Sequence, residues 1–384
     1  MNSDEINDKR PINEFKGIGF SKYKKTEVIK QFLKSVNNGS IEEASYWSAE
    51  LICAGHFIDL WDAIFLLVSD YIHLGNPKLP IYIALRVDNF KVTVHNGYTD
   101  NFLALRNNAS VRKLFVEIVV VLCLSKKKHK MESIKINTNE FDIINLSSKL
   151  KAPNVEFITP FFQSGDPKEL YISLNEFAYQ LSNKSKNALT ACYWFEWIIQ
   201  FQAICKQRKN ECVCIRRSFA PVDEKMQMLP IWIIWEILMA LAEEKSKIIH
   251  KIMNALLSLF CTKFTPSSIK KRKFLIYFGI SLLVEPIDLK IDIISNQDVI
   301  TKACNKIGKI YTQVKKNEES PEVDYLFNGV EKSNLDKSLK KMETMNSLMM
   351  SGITSDDKNV SHDKNVSHDK NVSHDKNVYD PNSI

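Results

Sequence analysis

One pair of adjacent aromatic residues occurs twice in this sequence, each time inside an apolar helical pattern. The stretch ASYWSAELICAG carries Tyr46 and Trp47, and TACYWFEWIIQF later in the chain carries Tyr193 and Trp194. The apolar residues around both pairs recur every three or four positions, which predicts helices with one buried face. The chain must therefore fit the same bulky pair into two helical settings.

The segments that follow each pair also correspond, in the same order. LPIWIIWEILMALAEE corresponds to IDLWDAIFLLVSDYI, and SSIKKRKFLIYFGISLLVEP corresponds to ASVRKLFVEIVVVLCLSKK. Matched segments in a constant order indicate a duplicated unit, and chance likeness between amphipathic helices is the alternative. We predict an all-α fold with two tandem, duplicated helical-bundle units and a flexible polar C-terminal tail.

Composition sets the predicted boundaries. The region after the first unit holds two mid-stretch prolines and no sustained period, and the end of the chain repeats DKNVSH. Such a repeat has too little apolar surface to offset the entropy of the chain. The predicted organisation is a flexible lead at 1–20, a first helical unit at 21–130, a linker at 131–170, a second helical unit at 171–317, an amphipathic helix and linker at 318–354, and a disordered tail at 355–384.

The aromatic residues of the two units are predicted to be structural. Their neighbours are Ala, Leu and Ile, whereas platforms that stack nucleic-acid bases combine exposed aromatics with basic residues. Gly55 is predicted to end the helix that carries Tyr46 and Trp47, in a left-handed conformation. Trp61 follows this turn and is expected to pack on Trp47. The predicted structural residues are Tyr46, Trp47, Trp61, Tyr193, Trp194 and Trp232.

Basic clusters are the remaining candidates for a binding surface. The formal net charge of +7 permits contact with nucleic acid or an acidic partner without requiring either. Solvated helix ends are the alternative, and true phosphate contacts would give salt-dependent binding. The candidate nucleic-acid contacts are Lys126, Lys127, Lys128, Lys130, Arg208, Lys209, Arg216, Arg217, Lys270, Lys271, Arg272 and Lys273.

No pattern for catalysis, metal or cofactor stands out. The cysteine-containing insertion CKQRKNECVC has the spacing C-x6-C-x-C, without the second close pair or histidine of a zinc site. No nucleophile elbow or zinc-protease motif occurs. The polar start lacks a signal-peptide pattern, and each of the longest apolar runs is short and carries a glutamate, so we expect an intracellular protein that does not span a membrane.

The region around the first pair resembles a known family. GSIEEASYWSAELICAGHFIDLWDAIFLLVSDYIHLGNPKLP is similar to the helical collar of the clamp-loader clade of AAA+ proteins, especially the Werner-helicase-interacting group. The matching residues are Glu43, Ala44, Tyr46, Trp47, Ala49, Ser69, Asp70, Gly75 and Pro77. The resemblance implies a domain that holds subunits together. The family's ATPase module has no counterpart, because no G-x-x-x-x-G-K-[ST] motif occurs.

Two functions follow as expectations. The first is a non-enzymatic scaffold or adaptor that binds other proteins or itself, in viral DNA replication or transcription. The viral setting rests on the tail repeat and the Lys-, Asn- and Ile-rich composition, which resemble a conserved protein of large DNA viruses. The alternative is a virion structural or DNA-packaging protein whose basic helix ends contact nucleic acid. The expected location is the host cytoplasm or nucleus, with the virion as the alternative.

Deletion of residues 355–384 should leave stability unchanged. The repeat carries too little apolar surface to contribute to a core, so the melting temperature should stay within about 2 °C of that of the full chain. Differential scanning calorimetry of the two proteins measures this. A larger drop would show that the tail docks on the rest of the protein.

Overall fold

The described part of the chain is all-α, as predicted. The computed structural model describes residues 4–210 and 212–319. Within these ranges the regular structure is helical, and the pairing of extended chain is limited to one bridge between Ile18 and Lys24. Helices long and apolar enough to cross a membrane are absent from the same ranges. The predicted tail at 355–384 lies outside the described residues, as does the predicted helix at 318–354 apart from its first two positions.

The helices fall into two successive groups. Those of the first half are α1 (Lys25–Asn37), α2 (Ile41–Cys53), α3 (Phe57–Leu66), α4 (Leu79–His95) and α5 (Ala109–Leu124). Those that follow are α6 (Ile143–Ser147), α7 (Tyr171–Leu181), α8 (Ala188–Gln207), α9 (Ile231–Lys245), α10 (Lys247–Cys261), α11 (Ser268–Lys271), α12 (Lys273–Val284) and α13 (Gln297–Lys315). A π-helical turn at Leu67–Ile72 continues α3. The 3-10 turns are Ile12–Phe15, His73–Gly75, Phe102–Asn107, Thr138–Phe141, Lys168–Leu170 and Glu224–Met226.

Glycines set the turns at both ends of α2. Gly39, with φ of +75°, lies between α1 and α2, and Gly55, with φ of +76°, ends α2 in the predicted left-handed conformation. The Gly55 N–H donates to the Ile52 carbonyl at 3.0 Å, and the His56 N–H donates to the Leu51 carbonyl at 2.8 Å. These bonds satisfy the last carbonyls of the helix and reverse the chain into α3.

The second half opens with a hairpin of the same kind as the first. Helices α7 and α8 pack along each other as α1 and α2 do, and α4 packs on α10 where the halves meet. The ring centroids of Tyr46 and Trp47 lie 5.2 Å apart and those of Tyr193 and Trp194 lie 5.3 Å apart, with ring planes at 80° in both pairs. These likenesses agree with a repeated unit, and the duplication itself stays a prediction.

The two aromatic pairs differ in burial. Trp194 is fully buried, whereas Trp47 is partly buried at the edge of the core and packs against the ring of Tyr23 with centroids 5.8 Å apart. Trp194 lies in the buried part of α8, where its neighbours Phe195 and Ile198 are buried as well. The two tryptophans are therefore both packed on the core, as structural residues, but are not buried to the same extent.

The other two predicted structural tryptophans are core residues. Trp61 is 5% exposed, and its ring packs on Phe90 and Phe115 with centroids 5.8 and 5.1 Å apart, instead of on Trp47 as predicted. Trp232 is fully buried, and its indole N–H donates to the Met226 carbonyl at 2.5 Å. The pattern identified these side chains as buried but could not specify the partner of Trp61.

The structure also differs from the predicted division into two units joined by a linker. Residues 4–319 belong to one compact unit. The 131–170 segment packs on the core, where Ile158 is fully buried and its N–H donates to Asn175 Oδ1 at 3.3 Å. Prolines and missing periodicity indicated irregular backbone correctly, but irregular backbone can be packed when side chains satisfy its polar groups.

The predicted bounds of the first and last segments also change. Helix α13, expected to end the second unit, packs on α5 and α2 of the first half. The lead that was predicted to be flexible buries Ile6, Phe15 and Phe20. Its charges are paired internally, since Arg10 Nη2 lies 2.5 Å from Asp8 Oδ2 and both side chains are buried. The polar composition of this segment therefore led to the wrong prediction that it is flexible.

Truncation of the two pair tryptophans should have unequal effects. Trp194→Ala should lower the free energy of unfolding by about 3 to 5 kcal/mol, because it leaves a cavity in a packed core. Trp47→Ala should cost about 1 to 2 kcal/mol, because the vacated space opens to water. Urea melts of both variants and the parent protein measure the difference. Equal losses would restore the equivalence of the two pairs.

Candidate functional site

The twelve basic residues predicted to contact nucleic acid fall into two groups. The exposed ones are Lys126, Lys128, Lys130, Arg208, Lys209, Arg216, Lys270 and Lys271. The ones with structural contacts inside the fold are Lys127, Arg217, Arg272 and Lys273. Four members of the predicted surface are therefore committed to the protein's own packing.

Arg217 holds the insertion between α8 and α9 onto the rest of the protein. Its guanidinium donates to both carboxylate oxygens of Asp166 at 2.7 Å, to Glu236 at 3.0 Å and to the Phe161 carbonyl at 2.9 Å. Burial raises the pKa of Asp166, but hydrogen bonds from Arg217 and from the backbone N–H of Ile215 outweigh burial and hold that pKa below its ordinary value. Arg217 is thus a buried anchor and not a surface cation.

Arg272 and Lys273 are likewise paired. Arg272 joins the two halves, because it donates to Asp62 at 2.7 and 2.9 Å and to the Phe260 carbonyl at 3.0 Å. Lys273 donates to Glu196 at 2.7 Å. Neither residue is available to bind phosphate, so the prediction was wrong for both. The reason is that the last two residues of the basic run lie at the start of α12, where their side chains contact the protein itself.

The first basic cluster runs along the π-helical turn. The Lys127 ammonium donates to the carbonyls of Leu122 and Cys123 at 2.7 and 2.8 Å, which satisfies the end of α5, and burial lowers its pKa. The Lys128 backbone N–H donates to the Tyr71 carbonyl at 2.8 Å and holds the segment that follows α5 against the π-helical turn. Of this cluster, Lys126, Lys128 and Lys130 present exposed side chains.

Of the other two predicted basic clusters, only Lys270 lines a surface groove. The groove has a volume of about 450 Å³ and lies between the end of α8, the insertion, and the start of α11. Three exposed lysines from these segments, Lys206, Lys225 and Lys270, line it. Its apolar lining residues are Ile199, Ala203, Val213, Met228, Leu229 and Ile269. We call this site the lysine-rimmed groove.

Backbone pairing inside the insertion positions the groove's apolar wall. The Cys214 N–H donates to the Met228 carbonyl at 2.9 Å, and the Arg217 N–H donates to the Gln227 carbonyl at 3.0 Å. These bonds leave Val213 and Met228 beside the groove with 43% and 37% of their side chains exposed. The insertion is therefore an irregular segment whose backbone pairing forms one wall of the groove.

The lysines of the groove lack acidic partners. Within residues 4–210 and 212–319, Lys206, Lys225 and Lys270 make no side-chain hydrogen bond or ion pair. Sequence reasoning missed Lys225 and Met228, which stand outside any helical pattern. The signal that could have found them is the insertion itself, since the first half has no corresponding segment.

The cysteines of the insertion are free thiols. Burial raises the pKa of Cys212 to about 12 and also raises the pKa of Cys214, so neither is a thiolate at neutral pH. In the described part of the chain, no group of three or more His, Cys, Asp and Glu side chains is arranged to hold a metal ion. Among the described lining residues of the groove there is no Asp, Glu or His.

Members of both Tyr–Trp pairs line other clefts. Tyr193 lines a broad cleft of about 870 Å³, where the Lys149 ammonium lies 4.1 Å from its ring centroid and is bound to Glu140 at 2.6 Å. Trp47 lines a cleft of about 530 Å³ that also contains Glu43. The carboxylates beside both rings would repel the phosphates of a nucleic acid. These clefts are therefore poorly suited to stack bases, which was the alternative role for the aromatic pairs.

Compared with known proteins, the chain matches no family model, no curated protein and no solved structure. The resemblance to the clamp-loader collar stays a prediction.

Adjacent arginines of the insertion should respond differently to substitution. Arg217→Met should lower the free energy of unfolding by about 3 to 5 kcal/mol at neutral pH, because it leaves the Asp166 carboxylate buried and unpaired. Arg216→Met is the matched control, and it should cost less than about 1 kcal/mol because the Arg216–Glu224 pair is exposed.

Acid should reduce the difference in free energy of unfolding between the Arg217→Met protein and the parent. The pKa of Asp166 is depressed in the folded protein, so its contribution is present above the unfolded pKa and is lost as the pH falls through the folded one. Urea melts from pH 7 down to acid conditions measure this. A gap that does not change with pH would show that Arg217 acts by packing alone.

Proposed function

We propose that the protein is a non-enzymatic, all-α scaffold that binds partner proteins through the lysine-rimmed groove. The observation that supports this proposal is an exposed apolar wall rimmed by three lysines, one each from α8, the insertion and α11, that have no acidic partner among the described residues. Exposed apolar surface that is rimmed by polar groups is typical of protein interaction sites. The role as a scaffold in viral DNA replication or transcription, inside the host cell, is part of the same proposal.

The chemistry of the groove favours an acidic amphipathic helix as its occupant. Apolar residues at i, i+3 and i+4 of such a helix would cover Met228, Val213 and Ile269, as in other helix-in-groove complexes. Asp or Glu side chains on its flanks would meet Lys206 and Lys270. Charge complementarity of this kind sets orientation and speeds encounter more than it adds affinity.

Nucleic acid is the alternative ligand, and it corresponds to a virion structural or DNA-packaging role. The exposed lysines at positions 126, 128 and 130 support it. Against it, Arg217 and Arg272 are buried in ion pairs, and the described lining residues of the groove include no aromatic ring on which a base could stack. We therefore place the protein-binding role first, with self-association as one form of it.

Two triple variants separate the alternatives. In the groove variant, Lys206, Lys225 and Lys270 become Glu, and in the matched surface variant, Lys126, Lys128 and Lys130 become Glu. A benzophenone photo-crosslinker at position 228 is added to each, and crosslinked peptides from expressing cells are identified by mass spectrometry. We expect crosslinks to acidic amphipathic segments, lost by about tenfold or more in the groove variant and kept in the surface variant.

Direct titration with a fluorescent single-stranded oligonucleotide completes the test. Salt-dependent DNA binding that only the surface variant weakens, together with crosslinks unaffected by the groove charges, would favour the alternative role. Crosslinks to another copy of this chain that the groove variant abolishes would establish self-association as the form of binding. Crosslinks of equal yield in all three proteins would overturn the groove as the binding site.

A further inference from the structure

A second cavity, which shares no lining residue with the lysine-rimmed groove, is walled by aromatic rings. It lies between α3, α4 and the end of α10 and has a volume of about 190 Å³. Phe57, Trp61, Phe90 and Phe102 line it. The ring of Phe57 lies 5.4 Å from that of Phe90 and 6.1 Å from that of Phe102, so the rings form one continuous wall.

The size of the cavity suits a small bicyclic ring. An apolar protein cavity of about 150 Å³ is large enough to hold benzene. The greater volume here, with aromatic walls that favour offset or edge-to-face ring contacts, fits a fused aromatic body. Exposed Ile58 stands among the lining residues and leaves a path from solvent.

The wall contains a polar group without a partner. Trp61 is 5% exposed, and its indole N–H has no acceptor within residues 4–210 and 212–319. Leaving a buried donor unpaired is costly, and an oxygen atom of a bound molecule would relieve that cost. By comparison, the Trp232 N–H is satisfied by the Met226 carbonyl, whereas the N–H of the fully buried Trp194 also lacks a partner among the described residues.

An unpaired cation also lines the cavity. The Lys263 ammonium lies 5.2 Å from the ring centroid of Phe102, and no acidic partner for it occurs in the described part of the chain. By contrast, Lys91 is bound to Asp88 at 2.9 Å and Arg272 is bound to Asp62. Lys263 has a φ of +43°, a left-handed conformation that is uncommon for lysine in general and that Lys22, Lys186 and Lys209 also adopt in this chain.

We infer that this cavity binds a small aromatic acid. The fused ring lies against the aromatic wall, the acidic group pairs with the Lys263 ammonium, and a ligand oxygen accepts the Trp61 N–H. Because Phe57 and Phe90 belong to the first half and Lys263 to the second, the bound molecule contacts both halves. Binding to the folded state should therefore also raise the melting temperature.

The test uses 2-naphthoate and its uncharged analogue 2-naphthylmethanol as probes, measured by isothermal titration calorimetry on the full chain. Both should bind saturably, and naphthoate should bind more tightly. Lys263→Asn removes the charge while keeping a residue that tolerates a left-handed backbone. It should weaken naphthoate binding by about two- to fivefold and leave naphthylmethanol unchanged. Lys302→Met, a charge loss on α13 away from the cavity, should change neither.

A substitution that fills the cavity provides a second test. Val94→Phe should weaken both probes by about tenfold or more, because its larger ring occupies the ligand volume. Circular dichroism and the melting temperature verify folding. If Val94→Phe fails to fold, Ile58→Trp at the exposed lip replaces it. Absence of saturable binding up to 1 mM, or binding unaffected by the folded filling variant, would overturn the site. Equal loss of both probes in Lys263→Asn would overturn the role of the acidic group.

Discussion

The structure depends on the pairing of buried guanidinium groups. The chain has eight arginines, and five of them are buried: Arg10, Arg106, Arg112, Arg217 and Arg272. A buried charge costs several kcal/mol unless carboxylates and carbonyls satisfy it. Arg112 meets the Asp4 carboxylate at 3.1 Å, and Arg106 donates to the Asp8 carbonyl at 2.9 Å. Each of these contacts joins segments about a hundred residues apart, so the arginines fix how irregular chain lies on the helices.

This use of arginine leaves most of the exposed positive charge to lysine. A planar guanidinium with five donors can satisfy several acceptors at once inside the fold, whereas the ammonium of lysine is strongly hydrated and stays in water. At Arg216 and Arg217, and at Lys271 and Arg272, exposed and buried cations are direct neighbours in the chain. The positive charge that faces solvent is therefore diffuse, which suits attraction of an acidic partner better than base readout.

Local pattern was enough for the helices and their apolar faces but not for their partners. The Tyr46–Trp47 and Tyr193–Trp194 helices, and the end of α2 at Gly55, agree with the sequence prediction, because spacing and turn chemistry act within a few residues. The return of α13 to the first half and the burial of the lead depend on contacts between distant segments. Periodicity shows which face is buried and does not show against what. The lysine-rimmed groove was missed for the same reason, since its wall is a folded insertion with no period of its own.

The closure of the first half by α13 has a consequence for synthesis on the ribosome. Helices α2 and α5 receive part of their cover from a segment that emerges about 170 residues after α5 is made. Until then the amino-terminal bundle exposes apolar surface, and the Asp8–Arg10 pair lacks its contact with the Asn317 carbonyl. Contacts of such long sequence separation slow folding. Completion of the first bundle therefore waits for the synthesis of α13, and until then its uncovered apolar surface is open to aggregation.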